Sequence, residues 1–408
     1  MTDTVATHKP APIQAHSTVF AVLFAVGFCH ALNDMMQSLL QAIYPNLQAT
    51  FDLDFAHIGL VTFVFQVTAS LLQPLVGLYT DRRAVPFALP AGMVFTMFGL
   101  IGLAMAPTYP LLLCAAALVG IGSSTFHPES SRVAYLAAGP RRGLAQSMFQ
   151  VGGSIGGALG PLLAALAIRP GQRDGVAFFS LAALLAIVIL WRVGEWYRRN
   201  RTTRAAAHGH LHLTEALTPG RVKAALAILV VLIFSKFVYM ASIGSYFTFY
   251  LIHRFHLSVP AAQLHLFLFQ AAVAVGTISG GPLGDRFGRK YLIWFSILGA
   301  LPFALAMPFA GLFWTGVFSV CVGLVLSSAF PAIVVYGQEL LPGRVGMVSG
   351  LFFGLSFGMG GLGAAALGVL ADAKGIEFVY RVCAFLPLIG LLAAFLPDLK
   401  APQPKAAS

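Results

Sequence analysis

The chain has 408 residues, of which 58% are hydrophobic and only 10% are charged. A soluble protein carries roughly a quarter charged residues, so this composition excludes an ordinary soluble protein. The net charge of +11 would suit a nucleic-acid partner, but the basic residues fall in alternate loops, so no nucleic-acid binding is expected.

Apolar blocks of about 20 residues recur along the chain, and this is the length that an α-helix needs to cross a bilayer. They predict an all-α integral membrane protein with twelve transmembrane helices in two pseudo-symmetric six-helix bundles. The first block is expected to be a retained helix, since no small-residue cleavage site follows it. The predicted spans are 17–44, 56–80, 87–106, 111–137, 143–168, 176–195, 224–252, 260–284, 291–309, 313–340, 346–371 and 377–396.

One long polar stretch separates the sixth and seventh spans. Its arginines and its three histidines, His208, His210 and His212, are typical of a solvated cytoplasmic linker. A weak metal site formed by these histidines is the alternative that the sequence favours less. The predicted units are an N-terminal bundle at 1–196, a linker at 197–223 and a C-terminal bundle at 224–408.

Lysine and arginine are distributed unevenly between the two sides of the predicted bundle. The loops around 46–55, 106–110 and 308–312 carry none, whereas the alternate loops are basic. This is the positive-inside pattern, and it predicts a multi-pass protein with both termini in the cytoplasm. The basic loops contain Arg82, Arg83, Arg141, Arg142, Arg286, Arg289, Lys290 and Arg344.

The patterns that would indicate enzyme chemistry are weak. The four cysteines lie far apart in apolar blocks, without metal-ligand spacing. A GxSxG match at 152–156 lies inside an apolar span and not at a strand-to-helix turn, and no GxxxxGK[ST] phosphate loop is present. No catalytic residue, cofactor or metal is therefore expected.

The two halves of the chain repeat short motifs at nearly one offset. Such an internal duplication of a six-helix unit is typical of secondary transporters, whose substrate site lies between the halves near the middle of the membrane. The matched segments are Gly77-x-x-x-Asp81-Arg82 with Gly281-x-x-x-Asp285-Arg286, Ser123-Ser124-x-Phe126 with Ser327-Ser328-x-Phe330, and Phe149, Gly157 and Gly160 with Phe352, Gly360 and Gly363.

Ionisable residues at bilayer depth indicate where a cavity lies, because such groups are costly in hydrocarbon. The first span carries a polar stripe on one helical face, and its alternative interpretation is a hydrogen-bonded stripe between packed helices. The stripe consists of His30, Asn33, Asp34, Gln37 and Gln41.

The fourth span adds His127, Glu129 and Arg132. Glu129 and Arg132 are three residues apart and are expected to pair, whereas His127 shares a face with Ser123. For Arg132, the alternative is a side chain that extends to the cytoplasmic interface.

Lys236 lies in the middle of the seventh span, with Tyr239 one turn further. A lysine at this depth needs a counter-charge, which we predict to be Asp34 or Glu129. Either this pair locks the halves together, or Lys236 meets an anionic substrate. Gln66 and Gln150 are predicted to add neutral donors and acceptors to the cavity.

The loop 281–290, with the sequence GPLGDRFGRK, resembles the GxLxDRxGRK signature of the major facilitator superfamily. The first copy at 77–83 keeps the glycine, the aspartate and the first arginine. The resemblance implies that these loops hold a cytoplasmic gate closed by pairing with neighbouring helix ends. The implied gate residues are Gly77, Asp81, Arg82, Gly281, Asp285, Arg286 and Arg289.

The segments 33–38, 42–45, 66–81, 126–132 and 143–153 resemble the branch of this superfamily that exports the phosphonate antibiotic fosmidomycin. The resemblance implies a proton-driven exporter of a small anionic drug. The chain is expected to lie in the bacterial inner (plasma) membrane and to function as a monomer. The alternatives are a transporter of a metabolite phosphate or organic acid, and a membrane receptor or enzyme that transports nothing.

These observations together predict two sets of cavity residues. Asp34 and Glu129 are the predicted proton-coupling residues. The predicted substrate-binding residues are His30, Asn33, Gln37, Gln66, His127, Arg132, Gln150, Lys236 and Tyr239. An anion in the cavity would by itself favour co-transport with a proton, so the antiport direction comes from the resemblance alone.

Overall fold

A computed structural model describes residues 17–53, 55–168, 173–209 and 217–399. Within these ranges all regular structure is helical, and the helices form the twelve predicted spans in two halves of six. The predicted fold class is confirmed. The predicted Gln41 side chain and residues 210–216 of the predicted linker lie outside the described part of the chain.

The N-terminal half contains six long helices. A short helix at Tyr44–Phe51 follows the first, and a 3-10 turn at Asp174–Phe179 precedes the sixth. The helices are α1 at Phe20–Ala42, α2 at Phe55–Leu71 continuing as Gln73–Arg82, α3 at Ala88–Met105, α4 at Tyr109–Ala137, α5 at Arg142–Ala167 and α6 at Ser180–Gly209.

The C-terminal half repeats this order. Its helices are α7 at Pro219–Phe255, α8 at Val259–Phe287, α9 at Arg289–Leu298 continuing as Leu301–Ala306, α10 at Leu312–Ser327 continuing as Ala329–Leu340, α11 at Val345–Lys374, and α12 at Ile376–Cys383 continuing as the 3-10 segment Leu386–Phe395.

Eleven of these helices are long and apolar enough to cross a membrane. The twelfth, α5, has a comparable length of 26 residues and is rich in glycine. Large apolar side chains cover the outside of the bundle, for example Phe24 at 65% exposure and Leu166 at 77%. In water this surface would be unfavourable, whereas lipid tails solvate it.

Both described chain ends lie at the same end of the bundle, which we call the basic end. It contains the loops 83–87, 138–141 and 341–344. The Thr18 hydroxyl donates to the Ala138 carbonyl at 2.8 Å, and the Tyr336 hydroxyl donates to the Pro397 carbonyl at 2.5 Å. The two halves meet mainly where α2 contacts α11 and α5 contacts α8. In the repeat, α8 corresponds to α2 and α11 corresponds to α5, so both contacts join the same pair of equivalent helices.

Candidate transport cavity

Glycines on α11 bring its backbone against α2 in the part of the bundle next to the basic end. A Cβ at Gly346 would overlap the Arg132 side chain and approach the Gly77 carbonyl, and one at Gly350 or Gly354 would overlap the backbone of Gln73 or Ser70. Only glycine permits this approach. The halves are therefore in close contact over this depth of the membrane.

Further from the basic end, the glycines of this α11 face no longer meet the other half in the described part of the chain. Gly358 and Gly361 continue the stripe of Gly354 by four and seven residues, and no described heavy atom lies within 4 Å of a Cβ built at either position. Gly157 on α5 is open in the same way, although Gly143 on its face touches Gly281. The halves thus diverge into a cavity that is closed at the basic end.

At the basic end, Asp81 joins the end of α2 to the start of α11. Its carboxylate accepts the backbone N–H groups of Gly346 at 3.0 Å and Met347 at 2.7 Å. Backbone N–H groups in the first turn of a helix have no partner within the helix, so Asp81 satisfies two of those of α11. The helix dipole also favours an anion at this position. The Arg132 guanidinium lies 2.5 Å from the same carboxylate and 3.1 Å from that of Glu129.

Asp285 makes the equivalent contact in the opposite direction. It accepts the backbone N–H groups of Gly143 at 2.9 Å and Leu144 at 3.1 Å, in the first turn of α5. Arg289 lies 3.2 Å from Asp285 and 3.2 Å from Glu339. Glu339 also pairs with Arg142 of the other half at 2.8 Å.

Most of the predicted gate residues therefore lie at contacts between the halves or next to them, but Arg82 and Arg286 are exposed and form no ion pair within the described residues. Arg132 and Arg142 provide the buried guanidinium groups instead. The interpretation of the sequence missed Thr80, Arg142 and Glu339. For Glu339, its position at the end of an apolar span beside basic loops could have indicated an ion pair at the gate.

Aromatic rings line the boundary between the closed contacts and the cavity, and we call Phe149, Phe330 and Phe353 the aromatic floor. The ring centroid of Phe353 lies 5.7 Å from that of Phe149 and 5.3 Å from that of Phe330. Phe353 is also 5.5 Å from the His127 ring of the other half. The floor therefore connects the two halves through side chains at mid-height.

On the N-terminal side of the floor, His30, Asp34 and His127 form a compact group that we call the Asp34 cluster. The Nε2 atoms of His30 and His127 lie 3.3 and 3.4 Å from the two carboxylate oxygens of Asp34. Asn33 and Gln37 donate to Asp34 Oδ1 at 3.0 and 3.2 Å. The predicted polar stripe of α1 thus converges on one carboxylate, which is 17% exposed.

On the C-terminal side of the floor lies Lys236, which is 4% exposed. Its Nζ atom is 4.9 Å from the centroid of Phe237 and 5.0 Å from that of Phe330. The predicted counter-charge is wrong, because Asp34 is held by the two histidines and Glu129 by Arg132 and Thr80. Among the described residues, Lys236 has no ion pair.

The remaining predicted side chains are neutral. Gln66 donates to Ser70 at 3.3 Å, and Gln37 accepts a 2.9 Å bond from Ser123. The Nε2 atom of Gln150 is buried and has no hydrogen-bond partner in the described part of the chain. Tyr239 is 2% exposed and lies in the core of the C-terminal half.

Two duplicated helical halves that are in close contact at one end, with buried ionisable side chains on both sides of their interface, define a multi-pass membrane transporter. The sequence profile of the Major Facilitator Superfamily matches residues 26–364 and 234–408. The chain belongs to this superfamily, as its loop motifs predicted.

The chain is similar to the Fosmidomycin resistance protein of Escherichia coli (strain K12), with 58% identity over 93% of this chain and 94% of that protein. The Uncharacterized MFS-type transporter YfnC of Bacillus subtilis (strain 168) is 44% identical, over 94% of each chain. The crystal structure of FucP in the outward conformation has a TM-score of 0.73 at 16% identity, over 93% of this chain and 98% of that one, and this likeness shows the fold alone.

Proposed function

We propose that this chain is a secondary active transporter that exports a small anionic phosphonate of the fosmidomycin type by proton antiport. The observation that carries the proposal is Lys236, a buried lysine beside the aromatic floor that has no ion pair within the described residues. Contacts with two rings stabilise a desolvated cation by about 2 kcal/mol each. This is far less than the charge loses on leaving water, so an anionic group is the fitting partner.

The phosphonate class comes from the relative that is 58% identical and is named for fosmidomycin resistance. The remaining cavity groups suit such a ligand. The amide nitrogen of Gln150 has no hydrogen-bond partner among the described residues, and the Asp34 cluster lies across the aromatic floor with its histidines. Asp34 and Glu129 stay the predicted proton-coupling residues.

Arg132 is a weaker candidate for binding substrate than its sequence position suggested. Its guanidinium already donates to Asp81, Glu129 and the Thr80 carbonyl. A ligand would have to displace these contacts, which hold α2 and α4 together. We therefore assign Arg132 to the gate.

The proposed orientation places the basic end in the cytoplasm of a bacterium, as the positive-inside pattern predicts. The closed contacts at this end then make the described conformation outward-open. The chain is proposed to work as a monomer, since the cavity lies between its own two halves.

The test uses a fosmidomycin-sensitive bacterium that expresses the wild-type chain, Lys236→Gln or Lys223→Gln. Lys223 is exposed at the start of the same helix and provides the matched control. The wild type and Lys223→Gln should raise fosmidomycin tolerance, and Lys236→Gln should leave it at the vector level. Membrane amount and monodisperse elution in detergent show whether each variant is folded.

Two outcomes would contradict the proposal. Full tolerance with Lys236→Gln would show that Lys236 does not bind the anionic substrate. If the wild type, despite good membrane expression, left tolerance at the vector level, the chain would not export the phosphonate drug. Flux of an organic phosphate or organic acid into vesicles would then favour the metabolite transporter.

A further inference from the structure

The Asp34 cluster has the donor set of a metal site. His30, Asp34 and His127 each direct one ligand atom to the same place, and these atoms lie within 4.8 Å of one another. Two imidazoles and one carboxylate are a common set for a divalent transition metal with an open coordination position. Helical spacing alone did not predict this group, because His127 lies on a different helix from His30 and Asp34.

The hydrogen bonds of the two rings fix where their protons are. His30 Nδ1 lies 2.6 Å from the Phe149 carbonyl, and His127 Nδ1 lies 3.0 Å from the Ser123 carbonyl. A carbonyl oxygen only accepts, so each Nδ1 carries the hydrogen. In the neutral rings, both Nε2 lone pairs therefore point at the carboxylate oxygens of Asp34. This arrangement is repulsive unless a cation lies between them.

The distances favour a metal ion as that cation. A charge-assisted N–H···O bond is about 2.7–2.9 Å long. The Nε2-to-carboxylate distances are longer, at 3.3 and 3.4 Å, and both buried Nε2 atoms lack a hydrogen-bond partner among the described residues. In a tetrahedral zinc site with bonds of about 2.0–2.1 Å, neighbouring ligand atoms are separated by about 3.3 Å. The three candidate ligand atoms lie within 4.8 Å of one another, so a bound metal would draw them closer together.

The surroundings of the cluster match those of metal ligands. Coordinating histidines usually donate their other N–H to a backbone carbonyl, and coordinating carboxylates are themselves hydrogen-bonded. Both conditions hold here, since Asn33 and Gln37 donate to Asp34. Glycine at position 153 keeps the space beside the cluster free, because a Cβ there would lie 2.6 Å from both Asp34 Oδ2 and His30 Nε2.

We propose that His30 Nε2, His127 Nε2 and one Asp34 carboxylate oxygen bind a divalent transition-metal ion such as Zn²⁺. The fourth coordination position faces the cavity, where Asp34 is partly exposed. Metal binding at these three groups does not depend on which substrate the chain exports. Protons and the metal compete for the same three groups, and a bound metal presents its open position to an anion that enters the cavity.

The test measures metal binding to the purified full-length chain in detergent, without a polyhistidine tag. His208, His210 and His212 are all replaced by alanine, because this histidine run is a second source of metal affinity. Co²⁺ is the probe, since its visible absorption reports four-coordinate geometry. We expect one Co²⁺ per chain and the intense absorption of a four-coordinate site.

The ligand variants are His30→Ala and His127→Ala, and His265→Ala on α8 is the matched control. Each ligand variant should weaken Co²⁺ binding at least about 10–100-fold, as loss of a supporting group already does in other sites, and the control should not. Binding that is absent in the parent protein, or unchanged in both ligand variants, would overturn the proposal.

A second measurement uses the parent protein alone, so it does not depend on whether the variants fold. X-ray absorption at the zinc edge of the Zn²⁺-loaded parent protein should show two imidazoles and additional oxygen ligands. A spectrum with one imidazole or none would overturn the assignment, whatever the variants do.

Discussion

Asp81 and Asp285 make the same hydrogen bonds in opposite directions across the two halves. Each accepts two backbone N–H groups from the first turn of a helix in the other half, Asp81 from α11 and Asp285 from α5. The repeat of the loop motif is therefore also a repeat of this contact. A single rocking motion of the halves would break both contacts together.

The first prediction concerns Asp81→Asn. Hydrogen bonds to a charged group contribute about 1.5–3 kcal/mol. Replacing the carboxylate by an amide weakens these bonds and also removes the ion pair between Asp81 and Arg132. We expect the basic end to open about ten-fold more often, which corresponds to about 1.4 kcal/mol. Ser349 is fully buried and accepts a hydrogen bond from Gln338, which also donates to Ser131 of the other half. A single cysteine at Ser349 should therefore report opening by its maleimide labelling rate.

Arg82→Gln is the control for Asp81→Asn, because Arg82 is adjacent in sequence but exposed. Its labelling rate should match that of the parent protein. All four native cysteines are replaced in these proteins, since Cys114 is exposed. Equal labelling of Ser349→Cys with and without Asp81→Asn would show that the helix cap does not hold the gate.

The second prediction concerns the close approach of α2 and α11. A Cβ at Gly77 would overlap the backbone of Gly346 and Met347, which has no flexible side chain to move away. Gly77→Ala should therefore keep the halves apart at the basic end and abolish drug tolerance. Gly361→Ala should retain tolerance, because a Cβ there meets no described atom within 4 Å. Normal tolerance with Gly77→Ala would contradict this packing.

The third prediction tests the proposed orientation. Gly358 lies in the open part of the α11 face, so a cysteine at this position should react with a membrane-impermeant maleimide added to intact cells. A cysteine at Ser349 should react slowly under the same conditions. Labelling of Gly358→Cys in inverted vesicles alone would place the basic end outside the cell.

Helical periodicity predicted the parts of the site that lie within one helix. His30, Asn33, Asp34 and Gln37 share a face of α1, and the structure gathers them around one carboxylate. Glu129 and Arg132 also pair as their spacing indicated. Local spacing determines such neighbours, because every α-helix has the same pitch.

Contacts between distant segments did not follow from the sequence in the same way. The position of Lys236 indicated its depth, but not that both candidate carboxylates already have partners. Phe353 resembled any other apolar residue, although it joins the two halves at the aromatic floor. Tertiary packing decides these contacts, so only the repeat of loop motifs anticipated part of the interface.

The last prediction separates antiport from co-transport. An anion in the cavity electrostatically favours the uptake of a proton, which by itself would carry both in one direction. Antiport instead requires a proton to be taken up by the empty carrier from the outward side. In inverted vesicles containing this chain, an acidic lumen should drive fosmidomycin into the lumen, and Lys236→Gln should abolish this uptake. Uptake driven by an acidic bath would establish co-transport and contradict the proposed direction of coupling.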